Sequence, residues 1–107
     1  MNIGSMMKQA QAMQEKMKRI EDEIQASEVE SSVGGGMVSL TMNGGHEVTK
    51  VVISPEVAGD REMLQDLVLA AVNEAVRKVK ELREEKMKGA MSGLGLPNIP
   101  GLGGLFQ

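Results

Sequence analysis

Cysteine, tryptophan and tyrosine are all missing from this 107-residue chain, which also has only one phenylalanine and one histidine. Without cysteine there is no disulfide framework, thiol nucleophile or thiolate metal site. A single histidine leaves little room for a His-based relay and none for a multi-His metal site. No apolar run approaches the roughly 20 residues of a membrane span. The N-terminus lacks the apolar stretch of a signal peptide. The expectation is therefore a cytoplasmic protein with no membrane partner. Aromatic side chains usually supply the largest buried areas, so the interior here must be built from Met, Val, Leu, Ile and Ala. A single domain of this length buries a limited share of its surface. Self-association is the natural remedy.

Residues 5–26 read as a helix with Ser5 as N-cap. Its apolar positions, Met6, Ala10, Met13, Met17, Ile20 and Ile24, are spaced 4, 3, 4, 3, 4, a heptad seam. That seam packs on the domain's own sheet, or also meets a helix of a second copy. Residues 27–53 lose helical periodicity and gain β-branched side chains. Three strands fit, at 28–33, 37–42 and 47–53. Gly34-Gly35-Gly36 separates the first two. Asn43-Gly44-Gly45-His46 separates the others, and Asn-Gly is a strong hairpin signal because both residues tolerate positive φ. Val38, Leu40 and Met42 share one face of the second strand. In the third, Thr49, Val51 and Ile53 alternate with Val48, Lys50 and Val52.

Pro55 ends this antiparallel meander by opening a turn. Asp60 then caps a second helix over 61–88, roughly 40 Å long. Val68, Val72, Ala75, Val79, Leu82 and Lys86 form another seam of 4, 3, 4, 3, 4 spacing, widened early by Leu64, Leu67 and Ala71. Lys86 on the seam line indicates that the last turns project beyond the core. Residues 89–107 are rich in Gly, Leu and Pro and read as a disordered tail, apolar enough to serve as a docking peptide. The fold class is α+β, in the order α-β-β-β-α. Residues 1–88 form the domain and 89–107 the tail.

No catalytic set emerges, so no enzyme, cofactor, metal or small-molecule substrate is expected. His46 reads as a turn residue. Glu21, Asp22 and Glu23 diverge by about 100° each along a helix and form a solvated face rather than a metal cage. The triple glycine lacks the Lys and Ser/Thr of a phosphate-binding loop and precedes a strand.

Charge is more informative in its distribution than in its sum of −3. Residues 27–75 are acidic. Residues 76–88 hold Arg77, Lys78, Lys80, Arg83, Lys86 and Lys88 against Glu81, Glu84 and Glu85. Helix-dipole complementarity accounts for such polarity in the second helix. It does not account for the first helix, where Lys16, Lys18 and Arg19 precede Glu21, Asp22 and Glu23. Cations near a projecting helix end can neutralise phosphates and release counterions. The lack of Trp and Tyr disfavours stacking on splayed bases, so duplex DNA held by its backbone is the better match.

Three stretches, MMKQAQAMQEKM (6–17), VSLTMNGGHEVTKVVISPE (38–56) and EMLQDLVLAAVNEAVRKVKELREEKM (62–87), resemble the YbaB/EbfC family of bacterial nucleoid-associated proteins. With the Gly/Leu/Pro tail, the resemblance covers the whole chain in order. It implies an intertwined homodimer whose helices project like tweezers around double-stranded DNA. It also implies low or modest sequence preference, a place in the nucleoid, and a role in nucleoid organisation or gene regulation. Carried onto this sequence, the DNA-binding positions are Lys8, Lys16, Arg77, Lys78, Lys80, Arg83 and Lys86, with Lys18, Arg19 and Lys88 as weaker candidates. The competing expectation is a protein-interaction or adaptor module that uses the helices and the apolar tail.

Overall fold

The computed structural model describes residues 2–93. The elements run α1 (Ile3–Ala26), β1 (Glu28–Val33), β2 (Val38–Asn43), β3 (Val48–Ile53), α2 (Pro55–Ala58) and α3 (Arg61–Gly93). This is the expected α+β order with one short helix added. Local chemistry sets each boundary. Asn2, rather than Ser5, caps α1: its Oδ1 accepts from the N–H groups of Gly4 (3.1 Å) and Ser5 (3.4 Å). Ser54 caps α2 by accepting from the Glu56 N–H, and Pro55 occupies the first turn, where its fixed φ suits a helix and its missing N–H costs nothing. The expected turn at Ser54-Pro55 is thus a helix of one turn, and it buries Val57 completely.

Asp60 caps α3 as expected, accepting from the Met63 N–H at 3.1 Å. The helix does not stop at Lys88. Adding residues to a long existing helix needs no new nucleus, so Gly89 and the four residues after it are carried along to Gly93. The rest of the expected tail, 94–107, lies outside the described residues.

The sheet is antiparallel in the order β1-β2-β3. Gly34, Gly35 and Gly36 take φ of 62°, 67° and 91° in the first turn, a run that only glycine adopts readily. In the second turn, Asn43 Oδ1 accepts from the N–H groups of Gly45 (2.9 Å) and Glu47 (3.0 Å), an Asx arrangement. The positive φ there belongs to His46, at 64°, not to Asn43 or Gly44. Gly44 is required for a different reason. A Cβ on it would sit 1.8 Å from the carbonyl oxygen of Ile24, because the hairpin tip presses against the end of α1.

A register shift between Thr41 and Met42 also corrects the facing of β3. Thr41 pairs with Lys50 but Met42 pairs with Val48, leaving Thr49 as the extra residue. Val48 therefore joins Val51 and Ile53 on the core side of the sheet rather than opposing them.

The core consists of Val38, Leu40, Met42, Val57, Ala71, Ala75 and Val79. α3 lies across β1 and β2, with Ala71 and Ala75 facing the sheet. Buried Ser31 donates its hydroxyl to the Ala71 carbonyl at 2.8 Å and ties β1 to α3. The molecule is drawn out, measuring 69 × 26 × 16 Å.

Gly44→Ala should destabilise the fold by about 2 kcal/mol or more in urea unfolding at fixed protein concentration, since backbone has to move. Gly45→Ala, whose Cβ would approach nothing nearer than the flexible Asn43 side chain at 3.3 Å, should cost far less. Equal effects would show that the tip does not bear on α1.

Candidate nucleic-acid interface

Among the described residues two surfaces are left uncovered, and both are built by α3 and its neighbours. The first is an apolar corner. α3 covers β1 and β2, so the core side of β3 is open: Val48 is 46%, Val51 49% and Ile53 40% exposed. Lys78 marks the flank of α3 on the β1 side, because its Nζ donates to the Glu30 carbonyl at 2.8 Å. At 100° per residue, Leu69, Val72 and Val76 lie on the opposite flank, over β3. Leu69 and Val76 are exposed and Val72 is half-buried. The open strip of β3 and this flank of α3 bound one continuous apolar corner, beside a strand edge with free backbone groups.

The second surface is a pair of projecting helical arms. α1 and α3 run antiparallel and leave the sheet at the hairpin tip. The seam of α1 is buried only at Ile20 and Ile24. Met17 is half-buried, and every residue from Asn2 to Glu15 is exposed. The expected seam is real, but its outer half, with Met6 at 52% and Met13 at 39% exposure, has no cover among the described residues. α3 projects beside it through its last turns, and Lys86 is exposed beyond the sheet as its seam position implied.

The seven expected contact residues are not brought together as one cluster. Lys8 stands near the free end of α1. Lys16, half-buried, and Lys86 lie where the arms leave the sheet. Arg77 and Lys80, one turn apart and exposed, lie on the side of α3 away from the sheet. None of these five forms an ion pair among the described residues, so their charge is available to a ligand. The other two are engaged. Lys78 pairs with Glu74 at 3.3 Å as well as with the Glu30 carbonyl. Arg83 Nη2 donates to both carboxylate oxygens of Glu21, at 3.0 and 2.9 Å, and Nη1 donates to the Gly44 carbonyl at 3.0 Å. Glu21 is thus not part of the solvated acidic face expected from its neighbours. Its partner lies 62 residues away in sequence, which no local pattern reveals. Lys18, Arg19 and Lys88 are exposed and unpaired among the described residues.

No group of three His, Cys, Asp or Glu among the described residues is placed to hold a metal ion. No described helix is long and apolar enough to cross a membrane. His46 is an exposed turn residue.

Comparison with known proteins points in one direction. Residues 1–94 match the model of the YbaB/EbfC DNA-binding family. Nucleoid-associated protein A1S_1684 of Acinetobacter baumannii strain ATCC 17978 is 46% identical over 111 residues, covering 99% of this chain and all of that protein. Nucleoid-associated protein ABAYE1967 of strain AYE matches equally well, at 46% identity over the same share of both chains. The crystal structure of uncharacterized protein HP0035 from Helicobacter pylori superimposes with a TM-score of 0.74, covering 85% of this chain and 98% of that one. At 24% identity, that likeness speaks for the fold alone.

Lys78→Met keeps the apolar stem and removes the charged clip between α3 and β1. The exposed ion pair is worth little, so urea unfolding should show a loss of about 1 kcal/mol or less. No change at all would mean that the clip carries no stability.

Proposed function

This chain belongs to the YbaB/EbfC DNA-binding family, and from that premise we propose that it acts as a homodimer gripping duplex DNA by its phosphate backbone. The observation that carries the reading is the coexistence of an open apolar corner with arms whose cations Lys8, Lys16 and Lys86 form no ion pair among the described residues. The corner is self-complementary in chemistry: two copies set edge to edge cover each other's β3 strip and α3 flank. Covering the exposed half of Val48, Val51, Ile53, Leu69 and Val76 contributes about 1 kcal/mol per side chain. Over two copies that is about 10 kcal/mol, against an association cost of about 4 to 15 kcal/mol. The corner alone therefore leaves little surplus, and a durable dimer also covers the outer seam of α1 at Met6, Ala10 and Met13. That requirement favours protomers whose helices interleave over protomers that merely touch.

Two-fold pairing doubles the free cations and fixes their separation. Lys8, Lys16, Arg77, Lys80 and Lys86 supply the phosphate contacts, supported by Lys18, Arg19 and Lys88. Such contacts position a protein on DNA without reading its sequence, so low or modest sequence preference follows. The acidic remainder of the chain limits indiscriminate attachment. Binding of this kind places the protein on the nucleoid, in the cytoplasm, where it contributes to nucleoid organisation or gene regulation. The curated relatives carry the name nucleoid-associated protein, which supports that location. An adaptor role that uses the helices and the apolar tail, 89–107, is the second reading. Loss of duplex binding by a chain ending at Gly93 would favour a role for that segment in DNA binding rather than in recruiting protein.

Binding should weaken steeply with salt, with a slope of log affinity against log salt of about −4 or steeper, as four or more phosphate contacts give. Arg77→Glu with Lys80→Glu should lower affinity more than about tenfold for every duplex in a mixed panel and flatten that slope. Affinity indifferent to salt would remove the backbone-contact mechanism. Val51→Glu puts a charge in the apolar corner. Light scattering should then show a monomer that binds DNA more than about tenfold worse; an intact dimer would move the interface elsewhere.

A further inference from the structure

Arg83 sits where a DNA-contacting cation is expected, yet both terminal nitrogens of its guanidinium are already engaged by protein. One nitrogen donates to both carboxylate oxygens of Glu21, at 3.0 and 2.9 Å, and the other to the Gly44 carbonyl at 3.0 Å. These contacts join three elements at one point: α1 through Glu21, α3 through Arg83, and the β2–β3 turn through Gly44. The turn is itself wedged against α1, since the Gly44 N–H donates to the Ser27 carbonyl at 3.0 Å and no side chain fits at Gly44. The pair is about one-third exposed on each side, sheltered enough for its geometry to count. One guanidinium nitrogen spans both carboxylate oxygens while a second holds the turn carbonyl, so three charge-assisted contacts to two separate elements fix the side chain in place.

Its position matters more than its strength. Ile20 and Ile24 are the outermost buried apolar residues of α1. Among the described residues, Arg83 makes the only side-chain hydrogen bonds between α1 and α3. Beyond that point only Lys16 and Met17 are half-buried, and every residue of α1 from Glu15 back to Ile3 is exposed. Thirteen residues of helix separate Glu21 from Lys8, a lever of about 20 Å. A tilt of about 10° at the junction moves Lys8 by about 3.5 Å, more than a whole hydrogen-bond length. The angle between the arms is thus set where Arg83 holds Glu21.

We propose that Arg83 is a positioning residue for DNA binding, acting with Glu21 as a latch that fixes the spread of the two arms, and not as a phosphate ligand. This rests on the DNA-binding reading above. It carries a counterintuitive consequence. Removing the negative charge of Glu21 should favour a polyanion if electrostatics alone mattered. If the latch matters, removing it weakens binding.

The test uses the full-length protein. Glu21→Gln should lower duplex affinity about threefold or more despite the gain of one positive unit, with the dimer intact by light scattering. Arg83→Lys, which keeps the charge but loses the fork, should fall similarly. The exchange E21R with R83E should recover much of the loss, because the pair is restored although position 83 is now acidic. The natural chain lacks cysteine, so spin labels at Gln14→Cys and Glu85→Cys report the arm spread directly in labelled chains diluted with unlabelled ones. Their distance distribution should broaden in Glu21→Gln. Binding by Glu21→Gln equal to or tighter than the parent, with an unchanged distribution, would overturn the latch. A broadened distribution in a protein that never binds duplex would uphold the latch and sink the functional reading instead.

Discussion

How closely α3 approaches the sheet decides nearly everything else in this molecule. With no tyrosine or tryptophan and a single phenylalanine outside the described residues, the layer between helix and sheet is thin. Ala71 and Ala75 allow the helix down onto β1 and β2, and the Ser31 hydroxyl reaches the Ala71 carbonyl across the gap. One helix of about 10 Å diameter covers about two strands at their spacing of nearly 5 Å. The third strand is left open. An apolar β3 with nothing over it is a liability in a lone protomer. The proposed dimer seats its second copy there.

The long helix then serves two ends of the molecule. Its first half builds the core, and its second half leaves the sheet as an arm. Charge follows that division: acidic residues collect around the sheet and the start of α3, and free cations collect on the arms and the outer side of α3. A chain with a net charge of −3 can therefore present locally positive surfaces to a polyanion while its remaining surface repels it. The two engaged cations, Lys78 and Arg83, fasten α3 to β1 and to α1 respectively. The arms carry charge that is free, and the junction carries charge that is spent on geometry.

The architecture was legible because its signals are local. Helical spacing, the Asn43-Gly44 hairpin and the triple glycine each place an element within a few residues. Misplacements came where a second local rule competed. Asn2 is as good a cap as Ser5 and lies upstream. Ser54-Pro55 begins a helix as readily as it ends a strand. The bulge at Thr49 reverses the facing of Val48, and nothing in the alternation announces it. The Asn43-Gly44 signal marks the hairpin, but close packing on Ile24, not positive φ, demands glycine at position 44. The cationic positions were legible as charges, but not as partners. Glu21 looks like one of three solvated carboxylates until the fold brings Arg83 to it.

The central claim is that two copies, joined across the open corner, present one paired set of arms to DNA. Native mass spectrometry of the protein with a short duplex tests it most directly, over a range of protein concentrations. The account predicts complexes holding two copies of the 11.5 kDa chain per duplex, with no one-copy complex accumulating as protein is diluted. A stable complex of one copy on one duplex, at the affinity of the undiluted protein, would contradict it.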